Sequence, residues 1–332
     1  MSSCSSGGRR VDSAVLCSRK ETFEVKEAEV SNSVLVLPPE AVVDGSGGEG
    51  AGRTVQNIQI CGIFRDYLEL KRIQPSLSKL LTVLEMGEPF AGVEKEPMDI
   101  DERLKSTDEE LDAAVPASWS EIEQALKTLR AIKIGQHWRL LDVDYAYRVL
   151  NILISSCEAN GWSLSSVDQE DCIQDVLNLL AADVAVQCFV RFFEENDTGN
   201  FRLNRLEVSR LLAEVLLKPA GKFNKEEFLK AWQKSMPEDL PTDLSDLKGM
   251  VLMDDVANPP VIWYFPSWSL PELPQRRFQV LFEEKPEWTA DEIRPYLQDI
   301  VSPSVSADKL LLKYARMFKT NEVKMYRAKY AK

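Results

Sequence analysis

A helix followed directly by two short strands recurs three times in the C-terminal two thirds of this sequence, and no other feature constrains the fold as strongly. Each copy begins with a Ser, Thr or Asp residue that can cap a helix, continues with apolar residues at helical spacing and ends in two β-rich runs. The copies cover residues 118–143, 242–265 and 304–328. Two other helical segments precede each copy, so the sequence predicts tandem winged-helix modules, a variant of the helix-turn-helix arrangement.

The N-terminal part has a different texture, because short β-rich runs alternate there with polar and glycine-rich turns. The sequence therefore predicts an α+β protein, in which a small N-terminal β-rich domain, a partial barrel, is followed by the winged-helix modules. The predicted order is a disordered tail (residues 1–10), a β-rich partner-docking domain (11–86), an acidic linker (87–103), winged helix 1 (104–165), an irregular winged helix 2 with extra helices (166–268) and a basic winged helix 3 (269–332).

Composition argues against an enzyme or a metal protein. The chain has a single histidine, His137, and its six cysteines are scattered without a CxxC motif, so no recognisable catalytic set or metal-ligand cluster is present. We expect no catalytic residues, no metal and no cofactor. No run approaches the roughly 18 apolar residues of a membrane span, so no membrane contact is expected.

Charge is distributed unevenly along the chain, whose formal net charge is −13. Residues 305–332 contain eight Lys or Arg residues and two acidic ones. Lys309, Lys313 and Arg316 have the spacing of one helix face, and the predicted hairpin behind them adds further cations. A solvated cationic tail is the simpler interpretation. The functional one is binding to DNA phosphates through Lys309, Lys313, Arg316, Lys319, Lys324, Arg327 and Lys329.

The β-rich domain is small, has edge strands and can bury little apolar surface by itself, which suggests that it needs a partner. Its apolar strand residues are the candidates for that contact. They are Val34, Val36, Ile58, Ile60, Ile63 and Tyr67.

Five stretches in this order resemble the Dcc1 (defective in sister chromatid cohesion) family, a subunit of the alternative replication-factor-C-like clamp loader. The stretches are AVLCSRKETFEVKEAEVSNSVLVLPP, ICGIFRDYLELKRIQPSLSKL, LRAIKIGQHWRLLDVDY, KFNKEEFLKAWQKSMPEDLPTDLSDLKGMVLMD and EWTADEIRPYLQDI with the basic tail. Related proteins usually have further β-strands before the first stretch, so either the barrel is incomplete here or the sequence is truncated.

The resemblance implies a non-enzymatic nuclear subunit with several partners. Its N-terminal domain would bind the large ATPase subunit and the very small subunit of the clamp loader, and it would meet the sliding clamp indirectly. Its first winged helix would contact the catalytic subunit of DNA polymerase epsilon through the region 132–145, which includes Gln136 and Trp138. Its last winged helix would bind DNA, with Lys313, Arg316 and Lys329 at the family's basic positions.

Two other functions compete with this interpretation. Winged-helix modules are also typical of sequence-specific transcription regulators. A hydrolase that uses a pair of Asp or Glu residues is a weaker alternative. Binding to a single DNA sequence would indicate the regulator, and turnover by the isolated chain would indicate the hydrolase.

Overall fold

The structure is a computed structural model that describes residues 4–5, 14–39, 57–73, 75, 77–96, 106–302, 305–320 and 323–329. The chain forms two compact units, residues 1–73 and residues 74–332. Both helices and strands are present, and the described strands form small sheets, none of which closes into a barrel. No helix in the described part of the chain is long and apolar enough to cross a membrane.

The first unit is an open antiparallel sheet. Its strands, in spatial as well as chain order, are β1 (Cys4–Ser5), β2 (Val15–Cys17), β3 (Thr22–Val36) and β4 (Gly62–Ile73). Strands β3 and β4 pair from Thr22↔Ile73 to Glu29↔Asp66, and the register shifts before it resumes at Val34↔Phe64. Among the residues of this unit with described burial, Thr22 alone is buried. The sheet therefore has almost no core of its own, and the predicted tail contributes strand β1.

The second unit contains all eleven helices of the described chain and four further small sheets. Its elements are α1 (Leu77–Glu85), α2 (Asp108–Ala114), α3 (Trp119–Thr128), β5 (Ala131–Ile134), β6 (His137–Leu140), α4 (Val143–Asn160), α5 (Gln169–Val176), α6 (Ala182–Phe192), β7 (Phe193–Glu195), β8 (Phe201–Leu203), α7 (Arg205–Leu217), β9 (Lys222–Asn224), α8 (Lys225–Ser235), β10 (Val251–Asp254), β11 (Val261–Tyr264), α9 (Pro274–Glu284), β12 (Glu287–Thr289), α10 (Ala290–Ile293), α11 (Ala307–Tyr314), β13 (Ala315–Thr320) and β14 (Val323–Ala328).

One order of elements recurs four times in this unit: a helix, a short extended segment, two helices and a hairpin. The four segments run from α1 to β6, from α4 to β8, from α7 to β11 and from α9 to β14. In each, the short extended segment pairs antiparallel with the second hairpin strand, through the pairs Ser106↔Trp138, Val167↔Phe201, β9 with β11 and β12 with β14. The sequence predicted three such hairpins, and the one formed by the three-residue strands β7 and β8 was not among them.

The third segment departs from the expected pattern. The amphipathic helix predicted before its hairpin is a four-residue 3₁₀ turn, Leu244–Leu247. Asp243 caps this turn by accepting a hydrogen bond from the Ser245 amide. The hairpins predicted in all three repeats are present as β5–β6, β10–β11 and β13–β14.

Helix α1 belongs to the second unit, although the sequence placed it at the end of the β-rich domain. Leu80 and Leu84 are buried with Leu111 of α2 and with Ile122 and Leu126 of α3. The β-rich unit therefore ends at residue 73 rather than at residue 86. A helix with one apolar face packs against whichever apolar surface covers that face. The local sequence does not specify which surface that is.

The first half of the predicted acidic linker is packed against the second unit. Phe90 is buried, its amide donates to the Leu140 carbonyl over 2.7 Å, and its carbonyl accepts from Asp142. Glu96 accepts two 2.7 Å hydrogen bonds from the largely buried Arg139 guanidinium. Residues 87–96 are therefore not a solvated linker, and residues 97–105 lie outside the described part of the chain.

Candidate nucleic-acid and partner interfaces

The last helix and hairpin of the second unit carry the predicted DNA-binding residues. Helix α11 begins at a cap in which Ser306 accepts a hydrogen bond from the Lys309 amide, and it ends at Tyr314. Leu310 and Leu311 are buried against the core around Trp288. Arg316 was predicted on the face of this helix and instead lies on strand β13. The six-residue ladder between β13 and β14 determines the backbone there.

The hairpin carries cations directly opposite one another. Arg316 pairs with Arg327 and Lys319 pairs with Lys324 in the β13–β14 register. All four side chains are exposed, and in the described part of the chain none has a carboxylate oxygen within 4 Å. Like charges at directly opposed positions destabilise a sheet, so this arrangement works against the stability of the hairpin itself.

Aromatic rings, rather than carboxylates, contact several of these cations. The Arg327 guanidinium lies over the Phe318 ring at 5.1 Å, and the Lys313 ammonium lies over the Tyr314 ring at 5.0 Å. Lys329 donates to the Lys313 carbonyl over 3.2 Å. Cation–π contacts leave the positive charge in place, so these side chains remain able to attract an anion.

The structure brings together all seven predicted cations on α11, β13, β14 and the residue that follows. Each of them is exposed. Asp308, an acidic residue on α11, is bound to Arg294 over 3.1 Å. Glu287 of β12 is opposite Arg327 in the sheet without forming an ion pair. The described surface is therefore basic at this end of a chain whose net charge is −13.

The hairpin of the first segment holds its two predicted partner-binding residues differently. Gln136 is exposed at the turn beside Gly135, whose φ of 60° is easily adopted by glycine. Trp138 is half-buried and donates its indole N–H to Asp108 over 2.6 Å. Asp108 also accepts from Lys133, and these hydrogen bonds lower the pKa of Asp108 below its usual range. The indole of Trp138 is thus held within the fold, while Gln136 is free to contact another molecule.

The predicted partner-binding residues of the first unit are all exposed, but they lie on two faces. Val34 and Val36 share a face with Phe64, because Val34 is directly opposite Phe64. Ile63, which pairs with Leu35, and Tyr67 lie on the other face. Ile58 and Ile60 precede β4 and are also exposed.

Sequence reasoning missed three large apolar residues on the Val34 face of this sheet. Phe64, Leu68 and Leu70 share the face of Val34 and are exposed by 53%, 68% and 48%. They occupy alternate positions along β4, and this period-2 spacing was the available signal. An apolar sheet face of this kind, in a unit without its own core, is typical of a surface that another chain covers.

Comparison with known proteins identifies the family. The family model for sister chromatid cohesion protein Dcc1 matches residues 7–297, so helix α11 and the whole basic hairpin lie beyond the match. Sister chromatid cohesion protein DCC1 of Mus musculus is 33% identical over 97% of this chain and 81% of its own length. The Xenopus tropicalis protein is 34% identical over 97% and 83%, and the Saccharomyces cerevisiae protein is 23% identical over 91% and 84%. This chain belongs to the Dcc1 family of sister chromatid cohesion proteins.

Proposed function

We propose that this chain is a non-catalytic scaffold subunit of an alternative clamp loader. In this role it acts in the nucleus at replication forks, helps to load the sliding clamp and supports sister chromatid cohesion. Membership of the Dcc1 family supports the cohesion role, since its members are named as cohesion proteins. The ATPase activity would reside on the large partner subunit, and this chain would contribute contacts.

The cationic hairpin would bind the phosphate backbone of DNA. One observation carries this proposal. Two pairs of cations, Arg316↔Arg327 and Lys319↔Lys324, are directly opposite each other across the hairpin and have no carboxylate partners in the described part of the chain. Element order adds support, because helix α9, strand β12, helices α10 and α11 and the β13–β14 hairpin follow one another as in a winged helix. In that arrangement α11 enters the major groove and the hairpin lies against phosphates. The same order in the three preceding segments supports an array of winged-helix modules.

The first unit would dock the small subunit and the large ATPase subunit. Its sheet exposes Phe64, Leu68 and Leu70 on one face, and β1 and β4 are the edge strands of the described sheet, which another chain can extend by β-augmentation. We expect Phe64→Glu with Leu68→Glu to abolish co-elution with the small subunit on a sizing column. Ile63→Glu with Tyr67→Glu on the opposite face is the matched comparison. If neither pair reduces co-elution, this docking surface is wrong.

The first segment would contact the catalytic subunit of polymerase epsilon through its hairpin. Gln136 is exposed at the turn, and its polar side chain suits the rim of an interface. We expect Gln136→Arg to weaken binding to that subunit in surface plasmon resonance. Trp138→Phe removes the indole N–H that donates to Asp108. It should weaken binding to that subunit only indirectly, by changing the shape of the hairpin.

DNA binding is tested by removing one cation pair. Lys319→Ala with Lys324→Ala should weaken binding to any duplex, and the slope of log affinity against log salt should fall by about 0.9 for each phosphate that the variant no longer neutralises. Fluorescence anisotropy with two duplexes of unrelated sequence measures both quantities. Lys230→Ala with Lys234→Ala on the exposed face of α8 is the matched control. Weakened binding to only one of the two duplexes would replace this proposal with a transcription regulator, because such a protein reads base edges.

A further inference from the structure

A cleft of about 1090 Å³ opens within the second unit, where helices α3, α6 and α7 face the loop at residues 266–268. Sites for small molecules and cofactors usually enclose about 300–1000 Å³. This cleft is just above the upper end of that range, and it is partly open to solvent. Its size therefore suits a segment of a polymer better than a metabolite.

The charges at the floor of the cleft are neutralised within the fold. Arg130 forms an ion pair with Glu214, and both side chains are largely buried. Tyr264 hydrogen-bonds to the same carboxylate, and burial together with that carboxylate raises the pKa of the phenol. Beside them Arg191 forms an ion pair with Glu207 at 3.8 Å and donates to the Lys127 carbonyl over 2.9 Å. The floor is consequently close to neutral, and the potential of the cleft is set by side chains at its rim.

One wall of the cleft presents cations whose charge is not neutralised by a neighbouring ion pair. Arg210 of α7 and Lys218, the C-cap residue of that helix, both line the cleft, and Lys248 follows the 3₁₀ turn Leu244–Leu247. Lys218 and Lys248 are exposed, and in the described residues neither side chain has a hydrogen bond or a carboxylate oxygen within 4 Å. Arg210 uses its Nε to donate to the Asp246 carbonyl, which leaves its terminal nitrogens available.

The facing walls are apolar and acidic. Val186 and Val190 of α6 are exposed by 40% and 56%, and Trp268 on the loop is exposed by 40%. Glu85 of α1 and Glu123 and Lys127 of α3 are also exposed in the lining, and Glu123 accepts a hydrogen bond from Trp119. The cleft therefore offers a basic wall, an apolar wall and two exposed carboxylates, in an arrangement that no uniformly charged molecule would complement.

We propose that this cleft binds a polypeptide segment whose acidic side chains face the α7 wall and whose apolar side chains contact Val190 and Trp268. Charge complementarity favours this occupant over a nucleic acid. Glu123 would repel phosphates, and Trp268 is the one exposed aromatic ring among the described lining residues, whereas single-stranded nucleic acids stack on several. The cleft is a second surface, separate from the cationic hairpin.

Fluorescence polarisation with a labelled peptide of Glu-Glu-Leu-Phe repeats tests the proposal on the full chain. Lys218→Glu with Lys248→Glu should weaken binding at least about tenfold, which corresponds to 1.4 kcal/mol. Trp268→Ala should also weaken it. Lys230→Glu with Lys234→Glu makes the same change in net charge on α8. This control should change the affinity for the peptide by no more than about twofold, which is the effect expected of substitutions far from the binding site.

Two further probes make the test decisive. A Lys-Lys-Leu-Phe peptide should bind weakly and gain affinity in the Lys218→Glu, Lys248→Glu variant, while labelled oligo(dT) should respond to neither cleft variant. The proposal is overturned if the acidic peptide does not bind, if its affinity is the same in the cleft variants, or if oligo(dT) is the probe whose binding weakens. It is also overturned if sedimentation shows a dimer that these variants dissociate, because the occupant would then be a second copy. Lys218→Gln with Lys248→Gln replaces the reversal if that variant unfolds.

Discussion

Replacing Arg316 with Glu should stabilise the C-terminal hairpin and at the same time weaken DNA binding. In the wild-type hairpin Arg316 is exposed and directly opposite Arg327, so two like charges face each other across one pair of strands. The substitution turns this pair into an Arg–Glu pair. β13 is the edge of its three-stranded sheet, so position 316 has a cross-strand neighbour on one side only. The exposed position leaves the buried core unaffected.

The expected gain follows from the energetics of opposed pairs. Opposite charges directly across a sheet contribute roughly 0.2–1 kcal/mol and like charges are unfavourable, so the exchange should stabilise the hairpin by about 0.5–1 kcal/mol. Native-state hydrogen exchange measures this locally, and the amides of the β13–β14 ladder should exchange about two- to fivefold more slowly. Low salt should enlarge the effect because both side chains are solvated.

The comparison variants separate charge from side-chain size. Arg316→Ala removes the repulsion without adding attraction, so its exchange rates should lie between those of the wild type and Arg316→Glu. DNA affinity should fall in the order wild type, Arg316→Ala, Arg316→Glu. Faster exchange in Arg316→Glu, or unchanged affinity for DNA, would refute the view that this hairpin sacrifices stability for a polyanion.

Two further perturbations test the second unit. Arg277→Ala should lower the free energy of unfolding, measured in urea titrations, by about 3–5 kcal/mol, because the buried guanidinium pairs with Asp299 and donates to three backbone carbonyls. Arg276→Ala, which removes the exposed neighbouring side chain, should change this free energy little. Equal losses in the two variants would contradict this account. Lys133 and Trp138 hold the pKa of Asp108 below its ordinary value of 3.8, so their hydrogen bonds stabilise the fold above that pH and this contribution disappears as the pH falls below it. Trp138 fluorescence should change over that acid range in the wild type and be flat in Asp108→Asn.

Local signals in the sequence were enough to predict the hairpins and several helix starts. Gly135 marks the turn between β5 and β6, and the spacing of Ser118 and Glu121 predicts the capping box that begins α3. The Thr289–Glu292 box at α10 is confirmed in the same way. In each case the interacting groups are within a few residues of one another, so a short stretch of sequence contains all the groups that determine the local structure.

Features that depend on distant residues were not predictable in this way. The run from Ala315 to Phe318 fits either helical or strand spacing, and pairing with β14 decides in favour of a strand. The same limit explains the linker, where Glu96 is held by Arg139 from 43 positions along the chain. It also explains the cleft, whose basic and apolar walls come from separate segments.

Several arginines elsewhere in the chain are paired with carboxylates, and the hairpin cations differ from them in this respect. The protein has 53 acidic and 40 basic residues, so carboxylates are abundant. Arg130, Arg139 and Arg277 are each paired with one. The hairpin cations are instead opposed to each other. Among the described residues, Glu287 is opposite Arg327 without forming an ion pair, and no carboxylate oxygen lies within 4 Å of the four opposed cations. Where repulsion between like charges is not offset by ion pairs within the fold, we expect the negative charge to come from a ligand. A phosphate backbone supplies such charge.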